Sequence, residues 1–457
     1  MLFSACAKAP QTAVTPTNAP TVALPTAAPT PVPTPVPTTV PTPVPAESEY
    51  YRDSRMLVYA NYIAEKGLGV QAGDEVLISA PVYTSAFVDL VSEACYARGA
   101  RAVNVVYRDT ARAYSAMRHL SKEDYDELVF DSALVSYLSV ENSSVRYLSV
   151  VSPSFTLEAP SAELQAQYAE AQKEFIKSVK DFSKSEFPAD KSWCIVTCAN
   201  ADWAKKVYPD LGDAEALSKL WEDIFSFVYI DKTSATGSVA ETRIRELDER
   251  AKALTEMGVE SLHFVGGDTD VTVRLHQPYR FQGSSIPDTE GIHSLPNIPS
   301  EECFTIPEKT GVNGKVAASR PLVLGNGTVI ENMRLTFVDG YLTEWSADTG
   351  KDKLDAMLET ENARYLGEVS IVSANSPIFK SGNVYYHTLL DENAACHMAF
   401  GDSYIEYNLP DGVEPDDQCN VCDVHVDFMF GTEDMEITAT LLDGTQTPIM
   451  RNGVWAF

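Results

Sequence analysis

Apolar and polar residues alternate along residues 54–265 with two different periods. From Ser54 to Gly67, Leu57, Ala60, Ile63 and Ala64 fall at helical spacing and Gly67 closes the run. Glu75–Ser79 (EVLIS) predicts a short strand, Ala86–Arg98 an apolar helix ended by Gly99, and Ala102–Tyr107 (AVNVVY) a second strand. Strand, helix and strand of these lengths make a βαβ unit with parallel strands. Further strands are expected near Leu148–Val151, Ser192–Thr197 and Leu262–Val265. Between them, Asp213 is placed to cap a helix whose Leu217, Leu220, Trp221, Ile224, Phe225 and Val228 form one stripe. The next helix runs from about Ser238 to Met257, with Ile244, Leu247, Ala251 and Leu254 inward and Gly258 as its stop.

After about residue 266 the texture changes. Helical periods fade, and turn dipeptides such as Asn326-Gly327 and Asp339-Gly340 separate β-rich segments. The fold class expected is an α/β N-terminal domain with βαβ units, over 47–285, followed by a mixed, β-rich C-terminal catalytic domain, over 286–457. Residues 7–46 are nearly all Pro, Thr, Ala and Val, with twelve of the 27 prolines ahead of residue 46. Such a stretch buries no core and favours extended polyproline II, so it is expected to be a spacer. Residues 1–6, Met1-Leu2-Phe3-Ser4-Ala5-Cys6, resemble the end of a lipoprotein signal, with small residues ahead of Cys6. On that reading the chain is extracytoplasmic and tethered to the membrane through a lipid on Cys6; if the segment is not a signal, the chain is cytoplasmic.

The formal net charge of −30 disfavours a nucleic-acid partner, whose phosphates select basic surfaces. Setting Cys6 aside leaves seven cysteines, an odd number, mostly inside apolar segments. Cys419-Asn-Val-Cys422 is a CxxC with no second CxxC to complete a zinc site, so a local disulfide or no role is expected. Cys422, three residues before His425, is kept as a minor candidate for approach to a metal.

Two C-terminal blocks carry the chemistry. His425-Val426-Asp427 alternates as a strand does, so imidazole and carboxylate project from one face. That is half of a metal site; a solvent-facing edge over a buried Val426 and Phe428 face fits the block equally well. His397 lies in TLLDENAACHMAFG with Asp391, Glu392 and Asn393 just upstream. Glu368 stands in the apolar LGEVS, where a carboxylate needs a partner or a cation. Glu301 and Glu302 follow Pro299-Ser300; their plain alternative is the first turn of a helix capped by Ser300. Together these blocks supply enough carboxylates and imidazoles for two metal ions.

The same blocks, in the same order, resemble the M29 family of metalloaminopeptidases. The likeness spans residues 50–457 and includes ANYIAEKGLGVQAGDEVLIS, WAKKVYPD (Trp203–Asp210), GGDTDVTV (Gly266–Val273), NIPSEECFT (Asn297–Thr305), LGEVS, DENAACH and HVDFM. It implies an aminopeptidase with two divalent ions (Zn, Co or Mn), acting on peptides with a free N-terminus and assembled as a homodimer. The implied metal ligands are Glu302, Glu368, Glu392, His397, His425 and Asp427, with Glu368 bridging. The implied catalytic groups are Glu368 for proton transfer and Tyr404 for the oxyanion, with Glu301 as the alternative base. Asp268 departs from the family's GTD pattern. Two alternatives stand beside this reading: a non-catalytic surface lipoprotein that binds peptides, and another two-metal amidohydrolase or carboxypeptidase.

Overall fold

Asp53 accepts a hydrogen bond from the Arg55 amide and caps α1 (Ser54–Tyr62), which buries Met56, Tyr59 and Ala60. The helix ends in a wider π turn, Ile63–Gly67. The structure, a computed structural model, describes residues 53–121, 123–124, 145–155, 161, 192–230, 238–288, 290–324 and 328–457. The signal-like start, the spacer and the Asn326-Gly327 turn lie outside the described residues.

β1 (Glu75–Pro81), α2 (Ser85–Ala97) and β2 (Ala102–Arg108) form the expected unit, with Ile78 opposite Val105 in parallel register. After α3 (Thr110–His119), β3 (Val145–Val151) pairs with the other side of β1, and β4 (Trp193–Thr197) extends the sheet, again in parallel. α4 (Ala201–Val207), α5 (Asp213–Phe227) and α6 (Ser238–Glu256) follow. Gly212, not Asp213, holds the cap position of α5. Asp213 lies in the first turn instead, where its charge complements the helix dipole.

From residue 259 the chain becomes mainly β. The strands are β5 (Val259–Gly266), β6 (Thr269–Leu275), a small β7–β8 ladder (Ile286–Pro287 with His293–Ser294), β9 (Asn297–Ile298), β10 (Glu302–Thr305) and β11 (Pro307–Ala317). A β12–β13 ladder (Leu322–Val323 with Val329–Ile330), β14 (Arg334–Val338) and β15 (Tyr341–Ser346) follow. The last are β16 (Leu366–Val372), β17 (His397–Gly401), β18 (His425–Met429), β19 (Glu436–Leu441), β20 (Gln446–Arg451) and β21 (Val454–Trp455). Asp339 and Gly340 both take positive φ between Val338 and Tyr341, the conformation a two-residue hairpin demands. Asp268 sits at the β5–β6 turn and pairs with Arg334 on the surface, where an extra residue is tolerated.

Among the described residues, three sheets have four or more strands. One is parallel, in the order β2-β1-β3-β4-β9. A second has eight strands, β15-β14-β11-β6-β5-β19-β20-β21, and a third has four, β10-β16-β17-β18. The helix considered for Ser300–Glu302 does not form. Glu302–Thr305 is strand β10, because pairing with β16 (Glu302 opposite Val372) supplies the backbone partners a helix would otherwise have provided.

Among the described residues, two large hydrophobic cores hold these layers. The first packs Tyr59, Phe87, Trp203, Trp221 and Phe225 against the parallel sheet. The second lies where the two antiparallel sheets meet, with Phe264, Val273 and Phe337 from one and Val369, Met398, Phe400 and Phe428 from the other. Their membership does not divide at 285/286. β9 completes the first sheet, and Ile378, Tyr385, Leu390 and Ala394 pack into the first core. Leu247, Ala251, Leu254, β5 and β6 belong to the second. Each half of the chain thus closes the other's core.

Candidate metal centre

The register of the four-stranded sheet decides which side chains meet. Glu302 on β10 lies opposite Val372 on β16, and residues 372, 370 and 368 share one face of that strand. Ser370 lies opposite His397 and Glu368 opposite Ala399 on β17. Ala399 lies opposite Asp427 and Gly401 opposite His425 on β18. Since directly opposed residues point to the same side, Glu302, Glu368, His397, His425 and Asp427 all project from one face. The other face carries Cys303, Val369, Met398, Phe400 and Phe428 into the second core. Gly367 beside Glu368 has a close-approach reason: a Cβ there would overlap the Asp402 carbonyl.

The polar face draws these groups into two sets that share Glu368. His397 Nε2 stands 3.0 Å from Glu302 Oε2 and 3.3 Å from Glu368 Oε1. His425 Nε2 stands 3.5 Å from Glu368 Oε2 and 3.3 Å from Asp427 Oδ1. Within each set, Glu302–Glu368–His397 and Glu368–His425–Asp427, the ligand atoms all lie within 4.8 Å of one another.

The far side of each ring is tied to the backbone. His397 Nδ1 bonds the Ala395 carbonyl at 3.1 Å and His425 Nδ1 the Asp402 carbonyl at 2.8 Å. A carbonyl only accepts, so Nδ1 carries a proton in each ring, and Nε2 is the nitrogen that faces the carboxylates. Ring nitrogens facing carboxylate oxygens at this spacing need a shared cation, a proton or a metal ion, and oxygen with imidazole is a donor set that borderline divalent ions accept.

The carboxylates and rings shift one another's protonation. Glu368 is pushed up to about 7, first by burial and then by Asp427 and Glu302, against the His397 hydrogen bond. Glu392 is held well above the carboxylate range by burial and then by Asp427 and Glu302. Burial opposes a charge on His425, but Asp427 and Glu368 outweigh it and raise the ring to about 9. His397 is raised well above its ordinary value against the same opposition, by Glu302 and Glu368. Asp427, despite burial, is held low by His425.

Residues 52–455 match the family described as thermophilic metalloprotease (M29). Aminopeptidase AmpS of Bacillus subtilis is 32% identical over 411 residues, covering 88% of this chain and 98% of the relative. Aminopeptidase T of Thermus thermophilus is 35% identical over 405 residues, covering 85% and 95%. The solved structure of wild-type AmpT from that organism superposes with a TM-score of 0.76 at 33% identity, covering 88% of this chain and 99% of the other. The chain belongs to the M29 family. It is a metal-dependent aminopeptidase, and M29 membership does not favour the non-catalytic and carboxypeptidase alternatives.

Within the M29 frame the other expected residues take different places. Glu392 and Tyr404 line the same pocket as the five clustered groups. Glu392 stands outside both sets of 4.8 Å neighbours. The Tyr404 ring lies 4.3 Å from the His425 ring, and its hydroxyl is held above its ordinary pKa by burial and then by Asp427 and Glu368. Glu301 points away, as adjacent positions of an extended chain must. Its Oε2 takes the Arg243 guanidinium at 2.6 Å and its Oε1 the Tyr229 hydroxyl at 2.6 Å. Cys422 Sγ donates to the Glu361 carbonyl at 3.1 Å rather than facing the cluster.

Several further residues contribute beside the expected set. Ser370 donates its hydroxyl to Glu302 Oε2 at 2.7 Å, which the LGEVS spacing alone could have suggested. Asn393 accepts the Glu301 amide at 2.7 Å and so fixes the backbone entering β10. An aromatic wall of Trp193, Phe304, Tyr404 and Tyr407 lines the pocket, with Trp193 Nε1 donating to the Tyr407 hydroxyl at 3.0 Å. Trp193 comes from the parallel sheet, so only the packing of the two halves brings it here.

Proposed function

We propose that this aminopeptidase holds two divalent ions, one at Glu302, Glu368 and His397 and the other at Glu368, His425 and Asp427, with Glu368 between them and Glu392 beside them. The observation that carries this is the pair of backbone-tied imidazoles aimed at one shared carboxylate. Two divalent charges also balance the four carboxylates when both rings are neutral. Zn, Co or Mn suits oxygen and imidazole donors.

When bound, such ions acidify a water, polarise the scissile carbonyl and take the substrate's free α-amine. The chain's own groups do the rest. A carboxylate of the cluster must receive the water's proton and return it to the leaving amine, and Glu368, shared by both sets, is the candidate the family resemblance names. Tyr404 donates its hydroxyl to the developing oxyanion from beside His425. Glu301 is not assigned as base, because Arg243 and Tyr229 occupy its oxygens. Ser284 Oγ and Asn297 Oδ1, on residues that line the pocket, are buried and make no hydrogen bond among the described residues. The aromatic wall suits an apolar first side chain.

A panel of free and N-acetylated peptides tests this. Free dipeptides and longer peptides lose residues one at a time from the N-terminus, and acetylation, which removes the amine's lone pair and charge, stops cleavage. Chelation abolishes turnover and Zn, Co or Mn restores it to different extents. His397→Ala and Glu368→Gln each lower kcat/KM by at least about a hundredfold in a folded protein. Internal cleavage of a blocked peptide at a comparable rate overturns the exopeptidase reading. The homodimer rests on the family resemblance, and the membrane tether on Cys6 followed by the Pro/Thr spacer.

A further inference from the structure

A cysteine that peptide hydrolysis leaves unused belongs to a second set of metal-binding donors. His276 follows β6, and Asp416 and Cys419 lie in the segment that links Tyr404 to His425. His276 and Cys419 are buried, whereas the Asp416 side chain is 56% exposed. His276 Nδ1 bonds the Pro278 carbonyl at 3.0 Å, which fixes the ring with Nε2 turned the other way, as in the catalytic histidines. That nitrogen faces Asp416 Oδ1 at 3.1 Å, and the Cys419 Sγ completes a group whose ligand atoms all lie within 4.8 Å of one another. Tetrahedral zinc, with bonds of about 2.0 Å to nitrogen and oxygen, sets two such donors roughly 3.3 Å apart.

A tight turn holds the two loop ligands together. The Cys419 amide donates to the Asp416 carbonyl at 3.2 Å, and Asp416 Oδ1 accepts the Gln418 amide at 2.9 Å. The CxxC is split. Cys422 turns to the Glu361 carbonyl while Cys419 turns to His276, and both are free thiols. The partners that Cys419 lacks in the local sequence are thus supplied by the fold.

We propose that His276, Asp416 and Cys419 bind one divalent ion of the zinc class, separate from the catalytic pair. Imidazole, carboxylate and thiolate together select zinc among the common divalent ions, and the exposed side of Asp416 leaves the fourth position to water. The ion clips the segment carrying Tyr404 and His425 to the end of β6.

Cobalt titration of the metal-stripped full chain tests this, because the catalytic donors contain no sulfur. Wild type acquires a sulfur-to-cobalt charge-transfer band in the near ultraviolet and binds one more equivalent of metal than Cys419→Ser. Cys419→Ser and His276→Gln lose the band and keep hydrolysis of a free dipeptide, while Cys422→Ser keeps both. His397→Ala loses hydrolysis but keeps the band, which separates this proposal from the catalytic reading. Should Cys419→Ser fail to fold, the surface change Asp416→Asn weakens cobalt binding at the band without removing hydrolysis. No band in saturated wild type, or a band that survives Cys419→Ser, overturns the proposal.

Discussion

His397 and His425 show how one imidazole can serve as an ion-pair partner or as a metal ligand. In the metal-free protein the surrounding carboxylates raise both rings, His425 to about 9, so near neutral pH each holds a second proton on Nε2. A divalent ion must displace it. The sign follows: as pH falls below about 9 the proton competes better, and at acid pH Glu368, itself raised to about 7, joins the competition. Apparent metal affinity is therefore expected to rise between pH 6 and pH 8, by on the order of tenfold per pH unit for each proton displaced. Titration calorimetry in buffers of different ionisation heat reads both the affinity and the protons released. A pH-independent affinity with no proton release would contradict protonated rings in the metal-free site.

The start of β10 makes the strand-level argument clearest, because Glu301 just ahead of it and Glu302 within it serve opposite neighbours. Glu302 enters the metal cluster, while Glu301 clamps the backbone ahead of β10 to Arg243 of α6, with its carboxylate fully buried. Burial pushes Glu301 above its ordinary pKa, with Arg243 acting against it. Glu301→Gln removes the counter-charge and leaves the Arg243 guanidinium poorly compensated, at a cost of about 3 kcal/mol. The same change touches no group of the cluster, so kcat/KM of the folded enzyme is expected to change by less than about tenfold. Urea unfolding and steady-state kinetics on one preparation separate the two effects. Collapse of turnover with unchanged stability would restore Glu301 as the base.

In the whole molecule the site depends on two cores that exchange elements across the middle of the sequence. Among the described residues core side chains begin at Met56, and the M29 match begins at residue 52. Deleting residues 1–46 is therefore expected to leave kcat/KM and thermal stability unchanged, since the family match begins after them. If Cys6 carries a lipid, the full chain fractionates with membranes and the truncated one does not. Equal fractionation of the two would rule the tether out, and loss of specific activity in the soluble truncated form would reveal a structural role for the spacer.

Local periodicity determined the βαβ unit, the stripes of α5 and α6, the Asp339-Gly340 turn and the strand character of His425–Asp427, because these depend on neighbours in the chain. The family motifs marked Glu302, Glu368, His397, His425 and Asp427, which the fold brings together. Local pattern could not choose between a helix start and strand β10 at Glu301 and Glu302, since the choice rests on pairing with β16 some 70 residues away. Nor could it separate the roles of those two glutamates or bring His276 to Cys419, whose separation in the chain exceeds any helical or strand period. Trp193 reaches the pocket by the same long-range route, as a residue of the first sheet closing a wall of the second half. Side chains distant in sequence meet only where buried apolar faces fix the sheet register, and that register is a property of the packed molecule.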